Sequence, residues 1–239
     1  MQTIQTESLA LEPGMRILDL GCGQGRHLHG LYWDETPVTA VGLDLCYEDV
    51  VIALDKFFEL PPPEPASPLR HAVLTAGTGE TLPFPDNTFD RVICSEVLEH
   101  VPDPELFLAE IRRVLKPDGI FAASVPRYWP EAICWSLSFG YQNTPGGHVR
   151  IFKPKAFRHD VEKHGFRRFR RHWAHALHSP YWWLRCAVWD TQESNGLVAL
   201  YRRFLEWDLI KRPWLTRALE GLLDPVMGKS VVMYFRKTS

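Results

Sequence analysis

The run Ile17-Leu18-Asp19-Leu20-Gly21-Cys22-Gly23-Gln24-Gly25 constrains the fold more than any other part of the chain, because apolar strand residues lead straight into a loop built on three alternate glycines. Glycines at this spacing let the backbone turn sharply and leave bare main chain against which a ligand can lie. Met15 to Leu20 reads as a short buried strand and His27 to Trp33 as the start of a helix. The glycines therefore sit at a strand-to-helix turn, where open α/β sheets bind nucleotides.

The details of the turn narrow the ligand. A dinucleotide fingerprint needs a third glycine at the position held here by Arg26, so a pyrophosphate is disfavoured. Asp19, two residues before the first glycine, would repel a phosphate and can accept hydrogen bonds from an ammonium group. A second strand, Val38 to Leu43, runs into Asp44, close to the ~20-residue spacing expected of an acid that grips ribose hydroxyls. An amino-acid-bearing nucleoside such as S-adenosylmethionine satisfies both acids.

Further stretches carry a resemblance. Ile17 to Gly25, Val41 to Leu45, Glu80 to Asp90 running on to Ser95-Glu96-Val97-Leu98-Glu99-His100-Val101, and Phe107 to Gly119 followed by Ile120 to Pro126 resemble a class I S-adenosylmethionine-dependent methyltransferase. The likeness is to the type 11 domain, a group that includes quinone-biosynthesis and small-molecule methyltransferases, and it covers roughly residues 9 to 170. It implies an α/β, doubly wound, mostly parallel seven-stranded sheet, with S-adenosyl-L-methionine as cofactor and S-adenosyl-L-homocysteine as product. By the same resemblance Asp19, Gly21, Gly23 and Gly25, with Cys22 as a small filler, hold the methionine portion, and Asp44 and Leu45 hold the ribose and adenine edge. Gly79 and Glu80 lie beside the adenine, and Ser95 and Glu96 beside the methionine end. Many relatives carry an acid where this chain has Thr78, so the adenine amine would meet a hydroxyl there.

The pattern along the chain agrees with alternating strands and helices. Glu48 to Phe58 reads as a helix, and the prolines between Pro61 and Pro68 bar helix and central strand, making a surface connection. Leu69 to Leu74 and Arg91 to Ser95 read as strands, Pro104 to Leu115 as a helix capped near Asp103, and Ile120 to Val125 as a strand. Tyr128 to Gly147 reads as a loop, and residues 127–150 as a lid on the acceptor side. Lys153 to His164 reads as a helix, Phe166 to Leu177 as a strand, and Ser230 to Arg236 as a final antiparallel strand. One domain over residues 1–239 is expected, with residues 178–229 as an aromatic-rich helical insertion before the last strand.

That insertion carries Tyr181, Trp182, Trp183, Trp189, Trp207 and Trp214 among Arg202, Arg203, Lys211 and Arg212. A helical cap over the acceptor pocket, an element that grips a membrane surface, and a platform for stacking RNA bases all accord with it. Charge sharpens the question, since residues 1–147 hold 9 Lys+Arg against 21 Asp+Glu and residues 148–239 hold 18 against 8. A basic surface of this kind suits an anionic membrane, an acidic substrate or nucleic acid, or complements the acidic half within the fold.

No apolar run approaches the ~18 residues of a membrane span, and Met1 to Ser8 lacks a signal-peptide pattern. Five cysteines without a Cys-x-x-Cys pair argue for a reducing compartment and against a disulfide framework or zinc site. The cytoplasm, or its membrane face, is the expected location. His172, His175 and His178 fall within seven residues, yet no Cys or carboxylate joins them at ligand spacing, so no metal is expected.

Methyl transfer from a sulfonium is an in-line displacement, so the residues that matter position the donor and acceptor and, where needed, remove a proton. His100 follows the strand that ends at the methyl group and is the nearest general base; packing behind the cofactor is the other reading. His148, in Gly146-Gly147-His148, is either an acceptor contact or part of the loop. The Asn/Asp-Pro-Pro-aromatic motif of amino-methylating enzymes is absent after Arg91 to Ser95, which disfavours a base amine. An oxygen or carbon of a small or lipid-like acceptor is the expected target. An RNA methyltransferase using the basic half and a non-catalytic cofactor-binding module are the alternatives.

Overall fold

The computed structural model describes residues 2–59 and 61–238; the single-domain expectation for 1–239 also takes in Met1, Leu60 and Ser239, which lie outside the described residues. Seven strands form one sheet: β1 Arg16–Leu20, β2 Thr39–Asp44, β3 His71–Ala76, β4 Phe89–Ser95, β5 Leu115–Pro126, β6 Phe166–Ala174 and β7 Ser230–Lys237. The sheet order is β3-β2-β1-β4-β5-β7-β6, with β7 antiparallel to both β5 and β6 and the other pairings parallel. The doubly wound, mostly parallel sheet expected from the sequence is thus the observed one.

Strand periodicity divides the core. Side chains alternate across the sheet, and Leu18, Val92, Phe121 and Val231 join one apolar cluster while their neighbours Ile17, Ile93, Ile120 and Val232 join the other. Helices cover both faces. Leu28 and Leu31 of α1 (Arg26–Tyr32) pack into the second cluster, whereas Phe107, Leu108 and Ile111 of α3 (Pro104–Val114) pack into the first. Between them in the chain, α2 (Tyr47–Glu59) follows β2 and leads to the exposed proline-rich connection. The start of α3 is fixed by Asp103, whose side chain accepts the Glu105 N–H at 3.0 Å, and by Pro104 in the first turn.

Two sequence expectations need correction. Tyr128–Gly147 is not a loop throughout: it contains α4 (Tyr128–Leu137) and a short α5 (Phe139–Gln142) before the Gly146 turn. Pro130 looks like a helix breaker, but it occupies the first turn, where its missing N–H removes no helical hydrogen bond. The strand from Phe166 ends at Ala174, not Leu177, because His175 adopts φ +67° and turns the chain away.

After α6 (Pro154–Lys163) and β6, the segment 178–229 supplies α7 (His178–Ala187), α8 (Gly196–Lys211) and α9 (Trp214–Met227). Leu177, Tyr181, Val198 and Leu205 make a small core of their own. Trp183 ties α7 to α4 by donating its indole N–H to the Pro130 carbonyl at 3.0 Å. An Arg217–Asp208 ion pair joins α9 to α8. Among the described residues no helix is long and apolar enough to cross a membrane, and all five cysteines are free thiols.

Candidate functional site

The chain reverses its direction of winding between β1 and β4, and a cavity of about 540 Å³ opens there at the carboxyl ends of the strands. This lies within the roughly 300–1,000 Å³ usual for small-molecule sites, at the place where open α/β sheets bind ligands. The predicted residues Gly21, Gly23, Asp44, Leu45, Thr78, Gly79, Glu80, Glu96 and His100 all line it. The cavity also takes Leu20, Leu43, Asp49, Gly77, Val97, Val101, Pro102, Phe107 and Gly146, which sequence reasoning did not assign to the site.

Two glycines of the loop have different tasks. At Gly21 (φ +72°) an added Cβ would fall 2.3 Å from Val97 Cγ2, so the bare backbone is required by the packing of the β4–α3 turn. At Gly23 (φ +48°) an added Cβ would meet no atom within 4 Å, and the residue lines the cavity. It presents main chain to the space a ligand would fill. Its N–H donates to Asp44 Oδ2 at 2.7 Å, while Asp44 Oδ1 accepts the Cys46 N–H at 2.9 Å. Asp44 is therefore fixed against the loop with its carboxylate at the cavity edge.

Beyond Asp44, Leu45 is 79% exposed on the cavity, an apolar surface of the kind on which a flat base can rest. Thr78 Oγ1 accepts the Glu80 N–H at 3.2 Å and retains its own proton to donate. Gly79 lies so close to Phe107 that a Cβ there would sit 2.3 Å from the ring. Glu96 holds φ +58°, its Oε1 accepting from Ser124 Oγ at 2.7 Å and its N–H donating to the Ser124 carbonyl at 2.9 Å.

Asp19, Cys22, Gly25, Ser95 and His148 stand outside the cavity lining. Asp19 is buried, and its Oδ2 accepts the Leu28 N–H at 3.0 Å, which orders the first turn of α1. Burial pushes its carboxyl up to about 7. One carboxylate oxygen of Asp19 is thus engaged by the fold itself. Cys22 packs against Gly42, its thiol pushed up by burial. Ser95 Oγ bonds Ser124 Oγ at 2.9 Å, linking it to Glu96 through one hydroxyl.

The two histidines are brought together. Their rings meet edge to face with centroids 4.9 Å apart. His100 Nδ1 lies 2.9 Å from the Gly146 carbonyl and 3.1 Å from that of Gly147, so two acceptors hold the proton on Nδ1 and leave the lone pair on Nε2. His148 Nδ1 lies 2.8 Å from Glu131 Oε1, which also accepts from the Tyr141 hydroxyl at 2.7 Å. Burial alone would raise Glu131, but the hydrogen bond from His148 and the nearby Lys229 charge outweigh it and hold the group at about 2. Glu131 is the site residue the sequence hid most completely, since it sits on α4.

Glu99 lies beneath this pair, fully buried, with both carboxylate oxygens lacking a hydrogen-bond partner among the described residues. Burial, with Glu96 nearby, pushes its carboxyl well above the usual range. Glu99, His100 and His148 each offer a ligating atom within 4.8 Å of the others, the set beside the cavity that could hold a metal ion.

Comparisons with known proteins bear on this arrangement. A family model described as a methyltransferase domain matches residues 1–168. A sterol 24-C-methyltransferase of Gibberella zeae is 34% identical over 125 residues, which is 48% of this chain and 28% of that protein. A fatty-acid O-methyltransferase of Mycolicibacterium smegmatis is 32% identical over 130 residues, 50% of this chain and 42% of that protein. The chain therefore spans well under two thirds of the length of these relatives. Among solved structures, the YcgJ protein of Bacillus subtilis superposes with a TM-score of 0.61 at 19% identity, covering 98% of this chain and 96% of that one. The cyclase SpnF superposes with a TM-score of 0.64 at 21% identity, covering 98% and 79%.

Proposed function

Since the chain belongs to the methyltransferase-domain family and has the class I fold, we propose that it transfers a methyl group from S-adenosylmethionine to an oxygen or carbon of a small or lipid-like acceptor. The observation that carries this reading is the bare Gly23 backbone facing the cavity beside Asp44 at the end of β2, with His100 in the same cavity. When bound, the cofactor supplies an electrophilic methyl group on sulfur. Gly21 and Gly23 would take its amino-acid portion, Asp44 its ribose hydroxyls, and Leu45, Thr78 and Gly79 the faces and edge of its base.

His100 would take the acceptor proton at Nε2, since the Gly146 and Gly147 carbonyls engage Nδ1. Glu131 and His148 would position the Gly146 turn and, through ring contact, the face of His100. Positioning donor and acceptor in line supplies most of what a displacement of this type needs. Sterol and fatty-acid methyltransferases among the relatives support a lipid-like acceptor. The C-terminal helices support it independently: Ile210 and Trp214 are 75% and 80% exposed and flank Lys211 and Arg212. Exposed Trp and Ile beside cations suit a headgroup boundary, where peripheral contact would give access to such an acceptor.

The test is transfer of labelled methyl from S-adenosylmethionine into a cell extract separated into lipid, small polar, RNA and protein fractions, with Asp44→Ala as the blank. Label in the lipid or small-molecule fraction is expected. Label confined to RNA, or cofactor binding with no transfer to any fraction, overturns the reading.

A further inference from the structure

A second cluster of imidazole and carboxylate lies away from the cavity, where the insertion meets the sheet. His175 follows the end of β6, His178 opens α7, and Glu220 lies on α9; none lines the cavity described above. Each offers a ligating atom within 4.8 Å of those of the other two, and the imidazole centroids are 5.5 Å apart. The carboxylate whose absence at close sequence spacing argued against a metal is delivered by the fold from α9. His172, whose Nε2 lies 3.2 Å from the Thr3 carbonyl, falls outside this group of atoms within 4.8 Å of one another.

What distinguishes this cluster is its lack of internal partners. His175 Nδ1, His178 Nδ1 and Glu220 Oε1 are all buried, and none has a hydrogen-bond partner among the described residues. Native folds rarely leave buried polar atoms in this state, and three converging in one place call for a shared partner. The other atom of His175, Nε2, is 3.0 Å from Thr3 Oγ1, and Glu220 Oε2 forms an ion pair with Arg217 Nη1 at 2.8 Å. His175 and Glu220 are thus oriented by one atom and leave the other unpaired, as second-shell contacts orient metal ligands. A cavity of about 150 Å³, lined by His175, Glu220 and Asp224, leads to the cluster and leaves room for a water.

We propose that His175, His178 and Glu220 form a binding site for a zinc-class divalent cation that fastens α7 and α9 to the end of β6. Two imidazoles and one carboxylate are a recognised zinc donor set, with a water completing four-coordination. Imidazole nitrogens select zinc and its transition-metal neighbours over magnesium or calcium, which prefer all-oxygen shells. A tetrahedral ion with bonds of about 2.0–2.2 Å places its ligands roughly 3.3–3.5 Å apart, so the three atoms close on it through small side-chain rotations. The site is independent of the methyl-transfer reading.

The experiment uses the untagged full chain, stripped with chelator and then titrated with Zn²⁺ and with Co²⁺ as a spectroscopic probe. Thermal melting, metal stoichiometry and the visible bands of low-coordinate Co²⁺ are followed. The expected result is at least one bound equivalent, a raised melting temperature, and a tenfold or greater loss of affinity for that equivalent in His178→Ala and in the near-isosteric Glu220→Gln. His148→Ala, which removes a ligating side chain from the cluster beside the large cavity, leaves that equivalent in place. Circular dichroism shows which variants remain folded, and Glu220→Gln retains the test if the alanine variant does not. Failure of the stripped protein to take up either ion, or uptake that Glu220→Gln leaves unchanged and His148→Ala abolishes, overturns the proposal.

Discussion

Gly21 and Gly23 belong to one loop, yet alanine at each should fail in a different way. At Gly21 the left-handed backbone, φ +72°, costs an alanine about 1–2 kcal/mol. Its Cβ would also sit 2.3 Å from Val97 Cγ2, an overlap that must be relieved by moving a half-buried side chain at the β4–α3 turn. Overpacking of this kind costs about 1–3 kcal/mol, giving roughly 2–5 kcal/mol in total. For a chain of this size that corresponds to a melting temperature lower by about 4–20 °C. At Gly23 only the backbone term remains, about 1–2 kcal/mol or roughly 2–8 °C, since nothing lies within 4 Å of the added carbon. That carbon instead enters the ligand space. Gly23→Ala should therefore stay folded and lose at least tenfold in affinity for S-adenosylhomocysteine by calorimetric titration, whereas Gly21→Ala should melt early. Val97→Ala added to Gly21→Ala removes the clash and should return part of the lost stability. Equal melting temperatures and equal ligand affinities for the two single variants would refute the packing role given to Gly21 and not to Gly23.

Other consequences can be measured directly. Asp44→Ala should weaken cofactor binding more than tenfold, because it removes the acceptor that also fixes the Gly23 N–H; Thr78→Ala should weaken it less than tenfold, and equal effects would mean that the base lies elsewhere. Asp19→Asn tests the buried carboxyl: the folded value of about 7 lies above the unfolded 3.8, so this group's contribution to wild-type stability is full below 3.8 and is lost as pH rises through 7. The variant, read by urea midpoints, should gain on the wild type between about pH 4 and pH 7, and a constant difference would contradict the burial argument. Glu131→Gln has the opposite sign: a group held at about 2 stabilises the fold above its unfolded 4.5 and loses that contribution as pH falls through 2. Its destabilisation should be full at pH 7 and shrink below pH 4.5, with a lowered kcat if His148 positions the Gly146 turn. Trp214→Ala together with Ile210→Asp should reduce sedimentation with anionic vesicles several-fold without lowering the melting temperature, since both side chains are exposed; unchanged sedimentation would remove α8 and α9 as a membrane contact.

What was legible in the sequence was local chemistry. The glycine loop, the acid ending β2 and the Asp103 cap each declare themselves within a few residues, because turn geometry and orphan N–H groups make short-range demands. The site residues found this way lie on turns that follow strands. Those missed fall into two physical classes. Leu20, Val97 and Phe107 look like core in any window, and only the sheet's winding places them at a cavity rather than within a layer. Glu131 and Glu220 are acids on helices that a sequence reading leaves to solvent, and their burial is decided by partners 17 and 42 or more residues away: His148 for the first, His178 and His175 for the second. A buried acid costs its desolvation unless a partner repays it, and neither helix's own sequence contains the histidines that meet its acid. Glu131 is repaid within the chain by His148, Tyr141 and Lys229, which is why its carboxylate stays ionised. Glu220 is repaid at Oε2 by Arg217, yet burial still pushes its carboxyl up to about 7, and its Oε1 and the Nδ1 atoms of His175 and His178 have no hydrogen-bond partner among the described residues. The same burial that settles one acid as part of the fold leaves the other one ligand short, and a divalent cation is the species that completes it.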